Sequence, residues 1–253
     1  MYLLNSLAIA ISMYSKIPAP NVEWNEKNMK YAMCFFPVVG AVIGLVQFLT
    51  GNFLLTRTGC GTLFYAAVMT LIPVVVTGGI HLDGYADTTD ALSSYGEREK
   101  KLEILKDPHT GAFAVIGLCV YFLADFALWS EITKEMLPVI ACMYMVSRSL
   151  SGISVVTFRA AKNSGLLKTF QDGAQRFRVR VVLIVWLCVC GGLMLILSWK
   201  QAVGALLAAA LVFIWYYRMS KKQFGGTTGD LAGYFLQVCE LAMPAGVLLG
   251  SIL

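Results

Sequence analysis

Three aspartates, Asp83, Asp87 and Asp90, fall within eight positions of the stretch GGIHLDGYADTTDAL, residues 78–92. At i, i+4 and i+7 of a helix, their carboxylates project from one face. Like charges at those spacings repel, so the face calls for a counter-charge. Hard oxygen ligands that leave room for water are what Mg2+ takes, which makes Asp83, Asp87 and Asp90 candidate metal ligands and catalytic residues. Gly84 permits close backbone approach, and Ala86, Thr88 and Thr89 are small enough to leave space around the carboxylates. The bland alternative is a solvated acidic helix start, favourable to the helix dipole.

Two further patches carry chemistry. LKDPHTGAF supplies Lys106, Asp107, His109 and Gly111 in a turn that leads into an apolar helix, whose N-terminus can accept an anion. FGGTTGD supplies Gly225, Gly226, Gly229 and Asp230 just before the last apolar run. Glycine-rich backbone there can cradle phosphate, or be a plain loop. His81 and His109 are lone histidines, each a candidate for contact with substrate or metal. Together the acidic face and its basic neighbours read as magnesium-assisted phosphoryl transfer. Metal offsets charge on a phosphoanhydride and stabilises the leaving phosphate, while basic residues of the 159–180 loop draw in the anionic substrate.

The elements that must position these groups are apolar. Of 253 residues, 58% are hydrophobic and 14% charged, with a mean hydropathy of +0.70. Soluble domains carry about a quarter charged residues, so the composition predicts an all-α, polytopic integral membrane protein. A span needs about 20 apolar residues. The candidates are Cys34–Leu55, Cys60–Gly78, Ala112–Trp129, Leu137–Phe158, Val181–Leu197, Ala202–Tyr217 and Leu231–Leu253, or about seven spans. The fifth and sixth are short and could form a hairpin. The first 20 residues are short of a span and predict an interfacial helix.

Lysine and arginine orient the chain. With the N-terminus cytoplasmic, sixteen fall on the cytoplasmic side and three opposite, and Arg148 lies within a span. The expectation is one multi-pass domain, residues 1–253, in the cytoplasmic (inner) membrane. Its catalytic loops, 80–111, 159–180 and 218–230, face the cytoplasm. Asp125, Arg148 and Glu240 lie inside spans, where charge is expensive unless paired or lining a cavity; Arg148 could neutralise a carboxylate or hold a phosphate. No basic stripe interleaved with aromatics points to nucleic acid. The seven cysteines show no CxxC and read as small buried hydrophobes. The sequence leaves a homo-oligomer open.

GGIHLDGYADTTDAL closely resembles the G-G-x-H-x-D-G-x-A-D-x-x-D signature of the cobalamin 5'-phosphate synthase family, the adenosylcobinamide-GDP ribazoletransferases. SMYSKIPAP is similar to the family's N-terminal stretch, with Lys16 where arginine is usual. FFPVVGAVIG is similar to its first span, REKKLEILKDPHTGAFAVIGL to its K-D-x-x-x-G segment, and GGTTGDLAGYFLQVCELA to its G-G-x-T-G-D…E block. The four blocks stand in the family's order over nearly the whole chain. The resemblance implies that a hydroxyl of α-ribazole, or of its 5'-phosphate, attacks the inner phosphate of adenosylcobinamide-GDP and GMP leaves. Asp83, Asp87 and Asp90 would hold Mg2+ against the diphosphate. Lys106 and Arg148 would neutralise phosphate oxygens, and Asp107 or His81 would serve as base. Asp230 would complete the metal site or grip a ribose, with Lys16, Gly225, Gly226, Gly229 and Glu240 as further substrate contacts.

Two other readings compete. A CDP-alcohol phosphotransferase also sets aspartates on a membrane helix, but its signature puts arginine where Asp87 follows Ala86. A coupled transporter would use Asp125, Arg148 and Glu240 as a path. Most carboxylates here lie in loops rather than spans, which favours the enzyme.

Overall fold

The computed structural model describes residues 2–161 and 175–252. Most of the predicted basic loop, including Lys162 and Lys168, lies outside the described residues. Helix α1 (Tyr2–Tyr14) is followed by the short α2 (Glu26–Met29), α3 (Phe36–Arg57) and α4 (Thr62–Thr77). Next come α5 (Ile80–Ser93), α6 (Arg98–Ile104), α7 (Ala112–Glu131) and α8 (Leu137–Thr157). The chain ends with α9 (Arg176–Leu197), α10 (Trp199–Phe224) and α11 (Gly229–Ile252). Among the described residues there is no strand, and the all-α polytopic architecture stands.

Six of these helical segments are long and apolar enough to cross a bilayer. Helix α4 has 16 residues, a rise of about 24 Å, yet it also runs from one end of the bundle to the other. Tyr65 near its start meets Trp129 at the far end of α7 edge to face. At its other end the Val76 carbonyl accepts the Lys16 N–H at 2.8 Å. Helices α9 and α10 are separated by Ser198 alone. At 22 and 26 residues they are two full spans rather than a short hairpin.

Helix α1, with 13 residues, is too short to cross. It packs Ile9 and Met13 against Met33, Phe36, Val155 and Leu236 and leaves Leu3 and Leu4 exposed, as an interfacial helix does. Between spans, Gly40 and Gly44 of α3 sit directly on the α8 backbone at Tyr144 and Ala141, the small-residue contact that lets membrane helices approach. Gln47 ties three helices, donating to the Met69 carbonyl at 2.9 Å and the Tyr144 hydroxyl at 3.1 Å.

The feature that builds the site is the break after α4. Gly78 and Gly79 both adopt positive φ, +67° and +80°, which glycine reaches without a Cβ penalty. Gly78 caps α4 through its N–H to Val74 O, and the chain leaves at 97° as α5. The segment expected as the loop 80–111 is therefore mostly two helices, α5 and α6. Likewise, the region 218–224 continues α10 to Phe224. Helix α5 is turned out of the crossing direction and lies against α11 and α7 at one end of the bundle.

Candidate functional site

The face of α5 follows its sequence register. His81, Leu82, Gly84, Ala86, Thr88 and Ala91 are buried, while Asp83 is exposed and Asp87 and Asp90 are half-buried. Gly84 is the contact point with α11: a Cβ there would lie 2.7 Å from the Asp230 carbonyl oxygen and 2.9 Å from its Cα. The absent side chain thus brings a fourth carboxylate, Asp230, beside the three on α5. Thr228 caps α11 by accepting the Leu231 N–H at 3.2 Å, and its hydroxyl lies 3.3 Å from Asp230 Oδ2. At the other end of α5 the Asp90 carboxylate abuts Gly111, the residue that opens α7.

The crowding is legible in protonation. Partial burial, then the charges of Asp83, Asp230 and Asp90, push the Asp87 carboxyl up to about 6. An acidic cluster of this kind attracts a cation. Among the described residues no three His, Cys, Asp or Glu side chains converge into a closed metal shell. That donor set does not make an all-protein cage. It does fit magnesium, which commonly uses one or two carboxylates and completes its sphere with water and substrate phosphate oxygens.

Around this face the structure brings together some expected residues and separates others. The methylene stem of Lys16, an exposed residue, lies over Gly78 at the α4–α5 corner. Lys106 and Asp107 are exposed on the turn leading to Gly111. Asp107 accepts the His109 N–H at 3.0 Å and lies 2.7 Å from His109 Nδ1. Those contacts hold its carboxyl below the usual range, which makes it a weak base.

His81 does not face the aspartates. It is 5% exposed and packs between the rings of Tyr14 and Phe36, at 5.8 and 5.7 Å. Two helical positions before Asp83 place it on the opposite side of α5, so the base role expected for it is not supported by its position.

Arg148 and Glu240, expected as substrate contacts, are locked to each other. Arg148 Nη1 pairs with Glu240 Oε1, Ser147 donates to the same oxygen at 2.7 Å, and Arg148 is wholly buried. A charge at membrane depth must be paired; the pair engages Nη1 of Arg148, while Nε and Nη2 are buried with no hydrogen-bond partner among the described residues. Arg148 also lies over the rings of Phe36 and Tyr144, beneath the root of α5.

The glycine patch divides. Gly225 N–H is donated to Lys221 O, and Gly226 N–H to Ser220 O, so neither is available to a phosphate. A Cβ at Gly225 would strike the Arg98 guanidinium. Thr227 bridges to the end of α8 through Arg159 O and Ala161 N. Gly229, with nothing within 4 Å of its Cβ direction, opens the first turn of α11 and is the one of the three that can face a ligand. Sequence reasoning missed Arg98 as the group seated on this turn, and Thr228 as the cap that orients Asp230. For Thr228 the signal was present, a threonine directly before an apolar helical run.

The fold and site define a polytopic helical membrane protein with an acidic face at one end of its bundle. The family model of cobalamin-5-phosphate synthase (CobS) matches residues 6–248, and the chain belongs to that family, a family of transferases in cobalamin biosynthesis. The chain is 49% identical over 251 residues to the adenosylcobinamide-GDP ribazoletransferase of Lachnoclostridium phytofermentans, covering 98% of this chain and 95% of that one. It is 33% identical over 248 residues to the protein of the same name from Pseudomonas fluorescens, covering 96% and 98%. The corresponding Clostridium perfringens (strain 13 / Type A) protein is 31% identical over 250 residues, covering 98% of each. No solved structure matches the chain.

Proposed function

We propose that this chain joins α-ribazole, or its 5'-phosphate, to adenosylcobinamide-GDP and releases GMP, with magnesium as cofactor. The observation that carries the reading is the α5 face itself: Asp83, Asp87 and Asp90 on one side of a helix, with Asp230 delivered beside them at Gly84. Nearly full-length similarity to named ribazoletransferases supports the choice of substrates.

Each residue has a task in that reaction. Asp83 and Asp87, joined by Asp90 or Asp230, would hold the metal, which supplies neutralisation of the diphosphate and of the leaving phosphate oxygen. Lys106 and Lys16, both exposed, would draw the anionic substrate. The ribazole hydroxyl forms a bond to the phosphorus nearest cobinamide, the bridging P–O bond breaks, and GMP departs. The hydroxyl proton passes to a carboxylate of the α5 face, because His81 points away and Asp107 is held too acidic. The excess of lysine and arginine at this end supports a cytoplasmic orientation in the inner membrane.

The test is to supply purified protein in nanodiscs with adenosylcobinamide-GDP, α-ribazole and magnesium and to look for GMP with an equal amount of cobalamin-type product. Refusal of both α-ribazole and its 5'-phosphate would defeat the reading.

A further inference from the structure

A cavity of about 570 Å³ opens on the flank of the bundle, away from the aspartate face. Its walls come from α1, the start of α3 and the start of α9, with Leu3, Phe35, Val38, Val181 and Val182 among its apolar lining residues. The Trp186 indole N–H donates to Cys34 O at 3.2 Å and fixes the spacing of two of those walls. The lining is almost wholly hydrocarbon and includes Phe177, Val181 and Val182 of the first turns of α9.

The mouth has a different chemistry. Arg178 Nη1 donates to the Tyr31 hydroxyl at 3.2 Å, and Lys30 Nζ lies 5.6 Å from the centre of the Tyr31 ring. Among the described residues the ion pairs are Lys100–Glu103, His109–Asp107 and Arg148–Glu240, so neither Lys30 nor Arg178 has a carboxylate partner there. Arg178 and Tyr31 of the lining, with Lys30 beside the Tyr31 ring, set two cations and a phenol hydroxyl next to a hydrocarbon slot, which matches the headgroup and tail of one kind of molecule. Basic pockets at the cytoplasmic edge of membrane helices recognise anionic lipid headgroups in this way.

We infer that this groove is a binding site for an anionic phospholipid, with an acyl chain between α1, α3 and α9 and its phosphate on Arg178, Lys30 and Tyr31. The site also has a route to the catalytic end. Phe35 lines the groove while its neighbour Phe36 packs on His81 at the root of α5. An occupied groove therefore braces the helix that carries the aspartates.

The experiment reads lipid binding directly, so it stands or falls apart from the proposed reaction. The detergent-purified full chain is titrated with phosphatidylglycerol and, separately, with phosphatidylcholine of the same acyl chains. Retention is followed by native mass spectrometry, and the melting temperature is recorded alongside. Phosphatidylglycerol is expected to be retained preferentially and to raise the melting temperature. Arg178→Gln with Lys30→Gln should reduce that preference by about 30-fold, the scale of two interfacial cations. Val182→Trp, which fills the slot, should weaken retention of both lipids, with helical content unchanged by circular dichroism. Equal retention of the two lipids by the natural chain would overturn the site. So would unchanged phosphatidylglycerol binding in the double glutamine variant, which keeps the groove's shape and so decides the matter even if Val182→Trp misfolds. The same stabilisation from glycerol phosphate alone, a dimer that closes the groove, or displacement of lipid by adenosylcobinamide-GDP would each overturn it too.

Discussion

Gly84 lies so close to Asp230 that a methyl group at position 84 would come within 2.7 Å of the Asp230 carbonyl oxygen. The contact is backbone to backbone and cannot be relieved by rotating a side chain. Gly84→Ala must push α5 away from α11 and carry Asp83 and Asp87 away from Asp230. Overpacking of this kind costs about 1–3 kcal/mol, and a displacement near 1 Å at a reacting centre can cost roughly 100-fold in rate. The variant is expected to retain its helices by circular dichroism and lose turnover by one to two orders of magnitude. Full turnover in Gly84→Ala would dissociate Asp230 from the site.

Asp87 sets a pH dependence. Partial burial and then its carboxylate neighbours push its carboxyl up to about 6, and the ionised form is the one that attracts a cation. Affinity for magnesium, measured with manganese as a spectroscopic substitute, should hold above pH 6 and fall as pH drops through it. One proton gives a slope of at most about tenfold per pH unit. The stability sign is opposite. The folded value lies above the ordinary 3.8, so the unfolded chain ionises first and the metal-free protein loses stability as pH rises from about 4 to 6. Added magnesium should restore what is lost. Asp87→Asn should flatten the stability trend across that window.

The Arg148–Glu240 pair predicts a distinction between stability and binding. Removing one partner strands a buried charge, at a cost of about 3–5 kcal/mol. Glu240→Gln should lower the melting temperature markedly and leave the KM for adenosylcobinamide-GDP nearly unchanged. Replacing both by apolar residues should be milder than either single change. A large KM effect without loss of stability would return Arg148 to the substrate.

Much of this site was legible because its signals are local. The i, i+4, i+7 spacing of the aspartates needs only the helical period, whereas the break at Gly78–Gly79, where the chain turns by 97°, was not read from the sequence. The spans were visible as apolar runs. What was not legible depends on partners distant in sequence. Arg148 and Glu240 are separated by 92 positions, and nothing in the spacing of either announces the other. Gly225 and Gly226 looked like phosphate-binding backbone because sequence does not reveal that Lys221 and Ser220 already accept their N–H groups. The orientation of His81 was available in principle: once Asp83 faces outward on α5, a residue two positions earlier faces inward.

His81 supplies the corresponding prediction. His81→Phe preserves a ring between Tyr14 and Phe36 and removes the imidazole. The pH profile of turnover should keep its shape, with a reduction of less than about tenfold, since a removed general base costs about a hundredfold or more. Loss of the acidic limb of the profile would assign the base to His81 after all.

Single-turnover release of GMP tests most directly whether the α5 carboxylates act together with magnesium on the diphosphate. Purified protein in nanodiscs is mixed with adenosylcobinamide-GDP and α-ribazole, with magnesium or with EDTA, for the natural chain and for Asp83→Asn and Asp87→Asn. The expected result is GMP release that EDTA abolishes and that each asparagine lowers by about 100-fold or more, the scale of a lost charge-stabilising group. Release that persists in EDTA, or at full rate in either variant, would contradict a joint role for the carboxylates and the metal.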